Sequence, residues 1–167
     1  MRHRFVLATL ASSLMFAVPA FAEEAEASGQ LALADNETFL LPIDNLGNRL
    51  PAYPEAVLTQ QQAGARYICM RVDIGEEGTV TYTGPVIRAP DCPEITQLTK
   101  QFVDVTAEAL KTWTFEPAIR CVFRNKGAKE TAGMSCQGGR ENPQATSLTF
   151  RFLFDQVEGK GVVRMQR

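Results

Sequence analysis

Six carboxylates, Asp73, Glu76, Glu77, Asp104, Glu108 and Glu116, have the side-chain type that acid–base catalysis needs. Such chemistry requires two carboxyl groups held across a scissile bond. Their spacing argues against it. Glu76 and Glu77 stand between glycines in Gly75-Glu76-Glu77-Gly78, a turn sequence whose charges are solvated, and Asp104 with Glu108 is the i, i+4 polar face of a helix. Serine and threonine abound, but the only histidine is His3, inside a segment that reads as an export signal. Without it the chain has no Ser–His or Cys–His nucleophile system and none of the usual His-containing zinc sites. These residues predict a protein without catalysis, cofactor or metal.

Cys69, Cys92, Cys121 and Cys136 are the four cysteines. No C-x-x-C pair is present, so a thiolate metal site is disfavoured against two disulfides in an oxidising compartment. Three connectivities are open, and spacing alone does not choose among them. Cys121 and Cys136 flank one Gly-rich polar segment, a natural staple, which makes Cys69 with Cys92 the preferred second pair.

Met1-Arg2-His3-Arg4, the apolar run Phe5 to Val18 and the small-x-small site Ala20-Phe21-Ala22 have the anatomy of a secretory signal peptide over residues 1–22. Cleavage places the mature protein beyond the membrane, in an oxidising compartment; an uncleaved segment instead anchors it in that membrane. The net charge of -2 becomes more negative once Arg2 and Arg4 are removed, so a nucleic-acid footprint is absent.

The elements that must position these residues follow from periodicity. Tyr53-Pro54-Glu55 opens a short helix, Pro54 to Ala63, with Gly64 as its stop. Ile68, Met70, Val72 and Ile74 alternate with Tyr67, Cys69, Arg71 and Asp73, the chain turns at Gly75–Gly78, and Val80 and Tyr82 alternate with threonines. That is a hairpin with one buried and one polar face. A longer helix is expected from Asp91, with Ile95, Leu98, Phe102, Val105, Ala109, Leu110 and Trp113 on one stripe. There follow a strand from Ile119 to Arg124, a loop from Asn125 to Thr146, and a last strand, Ser147 to Asp155, with Leu148, Phe150, Phe152 and Phe154 on its buried side. The order implies an α+β domain, a small antiparallel sheet of about three strands with two helices packed on one face. Its parts are a flexible acidic leader (23–48), whose apolar patch Phe39–Ile43 either docks as an extra strand or stays free, the domain (49–157) with a Cys-bounded insertion (121–146), and a C-terminal tail (158–167).

The motifs "YPEA", "VDIGEEGTVTYTGPV", "ALKTWTFEPA" and "TFRFLF", in this order, resemble the C-terminal domain of TonB, the energy transducer of Gram-negative outer-membrane transport. The resemblance covers about Leu50 to Asp155. It implies that Tyr53, Pro54, Trp113, Phe115 and Pro117 form a structural corner closing the second helix over the sheet. It also implies that the last strand is the sheet edge, with Ser147, Thr149, Arg151 and Leu153 on a face that takes up an extended segment of a TonB-dependent receptor or another envelope protein. Dimerisation by strand exchange belongs to the same picture, and no small-molecule substrate does. The leader is too short for a transducer that crosses the periplasm, reaching roughly 100 Å when fully extended. The expectation is therefore a stand-alone periplasmic binding module. The alternatives are a transducer tethered in the inner membrane, on the periplasmic side, through uncleaved residues 5–22, or a disulfide-stabilised interaction protein that works through the 125–146 loop.

Overall fold

The computed structural model describes residues 32–59, 65–87 and 89–166. The export signal expected over 1–22, the start of the leader and the end of the helix expected to run to Ala63 lie outside the described residues. In chain order the elements are strands β1 (Glu37–Leu40) and β2 (Ile43–Asp44), helix α1 (Glu55–Thr59), strands β3 (Arg66–Ile74) and β4 (Val80–Pro85), and helix α2 (Gln97–Leu110). Strands β5 (Phe115–Glu116) and β6 (Ala118–Val122), helix α3 (Lys126–Ala132), and strands β7 (Arg140–Gln144), β8 (Thr146–Val157) and β9 (Lys160–Gln166) complete the chain. The described residues thus form a mixed α/β fold with nine strands in three sheets, all paired antiparallel, and three helices.

The main sheet has the order β4-β3-β8-β9. Period-2 alternation turns Ile68, Met70, Val72 and Ile74 of β3 and Phe150, Phe152 and Phe154 of β8 to one face, where all are buried. Over that face lie α1, through Val57, and α2, through Phe102, Val103 and Leu110. Thr96 caps α2, its hydroxyl accepting from Thr99 N while the Thr99 hydroxyl accepts from Thr96 N. The helix therefore starts at Gln97, not at Asp91 as the sequence predicts, because Cys92 is tied to Cys69 in a turn before the cap at Thr96. Thr106 sits fully buried on its inner stripe and satisfies its hydroxyl by donating to Phe102 O at 2.7 Å.

Three boundaries differ from the sequence expectation, and together they raise the strand count above three. The tail is β9: Glu158 (φ 51°) and Gly159 (φ 75°) both occupy the left-handed region and make a two-residue hairpin turn after Val157. Val163 and Met165 then pack against the core. The leader is ordered from β1, which pairs with β6, and β2, which pairs with β5. Backbone amides along β6 find partners there that the short apolar patch did not advertise. The insertion is no irregular loop: α3 and β7 cover Cys121, Phe123 and Cys136, a small second core completed by Leu40, Ile119, Ala128 and Ala132.

Candidate binding site at the open sheet edge

The strand expected to be the edge, Ser147–Asp155, lies inside the sheet. β8 pairs with β3 from Thr146 to Phe154 and with β9 from Arg151 to Val157. Arg151 faces Gln166 and Leu153 faces Arg164, so their main chain is already taken. Among the described residues the β8–β9 ladder reaches the Arg151–Gln166 pair, while β8 continues beyond it toward Thr146.

Which main-chain groups point into that notch follows from strand alternation. Val86 N donates to Cys69 O at 2.9 Å, so Cys69 turns its backbone toward β4. By alternation Met70 and Val72 turn theirs toward β8, where Phe150 and Leu148 oppose them. Ser147 and Thr149 therefore direct N–H and C=O away from β3, past the end of β9. The two-residue hairpin at Val157–Lys160 requires the same parity. On the far side of the sheet, Pro85 occupies the position on β4 that points outward, where its missing N–H blunts the edge.

The outer face carries the polar half of the alternation. Arg71 donates to Asp73 through Nε (2.7 Å) and Nη2 (3.1 Å), and the Ser147 hydroxyl donates to Asp73 Oδ1 at 2.5 Å. The hydrogen bond from Arg71 holds the Asp73 carboxyl below its ordinary value; partial burial opposes this and Ser147 adds to it. Asp73 in turn raises Arg71. Arg151 donates through Nη2 to Asp91 O at 2.8 Å and lies over the Tyr67 ring, 5.4 Å from its centre. Cys69 on this face is 2% exposed because the loop bearing Cys92 lies across it, tied by the Cys69–Cys92 disulfide with Cα atoms 5.6 Å apart. Between that loop and the end of the notch lies a cleft of about 330 Å³, lined by Asp91, Cys92, Thr149, Arg151 and Gln166 among others. A second disulfide joins Cys121 and Cys136.

The structure places the corner residues in and around the main core. Trp113 is 2% exposed, contacts Phe150, Phe152 and Phe115 edgewise or tilted, and donates from Nε1 to Arg49 O at 2.8 Å. Tyr53 stacks edge-on against Phe102 and Phe154, Pro54 is buried just before α1, and Pro117 separates β5 from β6. Phe115 N donates to Gly78 O at 2.8 Å, which joins the hairpin turn to the tryptophan corner. The acidic residues serve local pairs: Asp104 with Lys100 and Glu108 with Lys111, both on exposed helix surface. Among the described residues no group of three His, Cys, Asp or Glu side chains is placed to hold a metal ion, and no helix is long and apolar enough to cross a membrane.

No family model matches the chain, and neither curated proteins nor solved structures yield a match. Sequence reasoning missed Gln166 and Asp91, which border the notch. The only available signal was the alternation after Gly159, diluted by Lys160 and Arg164 on the polar face.

Proposed function

We propose that this protein is a non-catalytic, TonB-like binding module of the Gram-negative periplasm that captures an extended segment of an outer-membrane transport protein by adding it to its sheet. The observation that carries the reading is that, among the described residues, no strand pairs with the outward main chain of Ser147 and Thr149, on a strand otherwise flanked on both sides. An added strand there continues the line of β9, gains affinity from backbone hydrogen bonds and is read by alternate side chains. The order of the Tyr-Pro, hairpin, Trp-x-Phe-x-Pro and final-strand motifs supports the family resemblance, and the mixed antiparallel architecture is compatible with it.

Among the described residues a second open edge lies on β9, whose Gly161, Val163 and Met165 turn their backbone outward by the same parity. Lys160 and Arg164, charges of the kind that discourage pairing, flank it. The test is affinity capture from solubilised envelope with wild type, Thr149→Pro and Val163→Pro, each checked for folding by circular dichroism. Outer-membrane receptors recovered by wild type and Val163→Pro but lost with Thr149→Pro support the notch. Loss with Val163→Pro alone moves the site to β9. Receptors retained by both variants, or by none of the three proteins, overturn strand addition.

A further inference from the structure

The two disulfides stand in unlike surroundings. Cys121 and Cys136 are buried together against Phe123 and make up most of the second core, so parting them takes that core apart. Cys69 is buried beneath the loop, but its partner Cys92 is only half-buried and lines two clefts, the one of about 330 Å³ beside Arg151 and a wider one of about 650 Å³ bounded by Ile87, Glu94 and Ile95. Neither Cys69 nor Cys92 belongs to the main core, and α2 keeps its own cap at Thr96.

Charge separates the bridges as well. Arg151 stands directly opposite Cys69 in the β3–β8 ladder, so the two side chains share the outer face with Cβ atoms roughly 5 Å apart. The Cys69 sulfur (3.9 Å) and Arg151 Nη2 (2.8 Å) approach the same oxygen, Asp91 O. The guanidinium has no carboxylate within ion-pair distance among the described residues, and the carboxylates of the loop, Asp91 and Glu94, are on exposed residues. Opposite Cys121, by contrast, the ladders place Glu141 on β7 and Thr38 on β1. A cysteine thiolate is a better leaving group beside a cation than beside a carboxylate.

We propose that Cys69–Cys92 is a thiol–disulfide exchange site for a protein dithiol, attacked at Cys92 and opened toward a Cys69 thiolate that Arg151 stabilises. The incoming thiolate bonds to Cys92 Sγ and the bridge breaks, its electron pair staying on Cys69. The second thiol of the partner, as thiolate, then displaces Cys92 from the mixed disulfide. Two electrons and two protons pass from the dithiol, which becomes a disulfide, to the two cysteines, which become thiols. Residues 89–95 then lose their covalent tie to the sheet and keep the hydrogen bond from Arg151 to Asp91 O. The inference is independent of strand addition, since it concerns the loop and not a sheet edge.

The probes are dithiothreitol and 2-mercaptoethanol, applied at neutral pH to the protein with both disulfides formed; free thiols are then blocked with N-ethylmaleimide and mapped by peptide mass. Dithiothreitol frees Cys69 and Cys92 about tenfold faster than Cys121 and Cys136. Brief treatment with 2-mercaptoethanol leaves its adduct on Cys92 with Cys69 free. Arg151→Gln slows this opening about fivefold and Arg151→Lys restores it. Were Arg151 only a tether for the loop, its loss would speed the opening instead. After selective reduction, hydrogen exchange rises in residues 89–95 and stays low across Ile68–Ile74 and Phe150–Phe154. Bridges that open at one rate, an adduct on Cys69, unchanged or faster opening in Arg151→Gln, or protection lost across β3 and β8 each overturn the proposal.

Discussion

At the residue scale, two positions separate a conformational requirement from a packing one. Gly78 (φ 78°) and Gly159 (φ 75°) share the left-handed backbone, but a Cβ on Gly78 runs into the carbonyl of Phe115 whereas one on Gly159 meets nothing within 4 Å. Gly159→Ala is therefore expected to cost about 1 kcal/mol of stability, and Gly78→Ala about 2 kcal/mol or more, in urea denaturation. Asp73 makes a pH prediction. Its folded pKa is depressed below 3.8, first by Arg71, so its contribution is present above the unfolded value and lost as pH falls through the folded one. Wild type should lose thermal stability as pH falls below about 4, and Asp73→Asn should melt lower at neutral pH with a shallower decline on acidification. A variant whose acid profile overlays wild type would remove Asp73 from the stability account.

The strand as an element decides where chemistry can occur on this sheet. Along β8 neighbouring residues differ in kind: Phe150 turns its backbone to β3 and its ring into the core, while Thr149 turns both outward. Proline at the two positions should separate them. Phe150→Pro breaks a central ladder bond and empties a fully buried site, so it is expected to unfold the protein or cost at least ~4 kcal/mol. Thr149→Pro removes only an outward N–H and should leave the melting temperature within a few degrees of wild type. Hydrogen exchange should find the Thr149 amide fast and the Arg151 amide slow, since β9 accepts only the latter. Much of this was legible beforehand. The alternation of Ile68 to Ile74 and of Leu148 to Phe154 marked the buried faces, and the helical stripe found Phe102 and Leu110. The stripe missed Val103 and Thr106, because a buried threonine that bonds its own helix looks polar in sequence.

At the scale of the whole molecule, two cores of unequal size are stapled differently. Thirteen buried residues make the main cluster and three make the second, two of those three being the Cys121–Cys136 pair itself. Reduction of both bridges, which close separations of 23 and 15 residues, should lower the melting temperature by about 5 °C or more, at ~3 kcal/mol each. Replacing Cys121 and Cys136 by Ser should loosen α3 and β7 in hydrogen exchange and leave the phenylalanine core protected. A chain begun at Leu50 loses β1, β2 and the Arg49 carbonyl that receives Trp113, and should melt lower than the longer chain. Equal melting would show that the ordered part of the leader contributes nothing. The sequence by itself determined what β3 and β8 bury, because a period of two is written locally in residue types, but not what β4 buries, where a bulge at Asp73/Ile74 keeps Val80 on the core and turns Tyr82 outward; it also determined that four cysteines without histidine would favour bridges. Only the tertiary structure decided which strand is an edge and which N–H groups are left open. β8 reads the same with one neighbour or two; among the described residues β9, folded back through a two-residue turn, takes up its main chain from Arg151 to Val157.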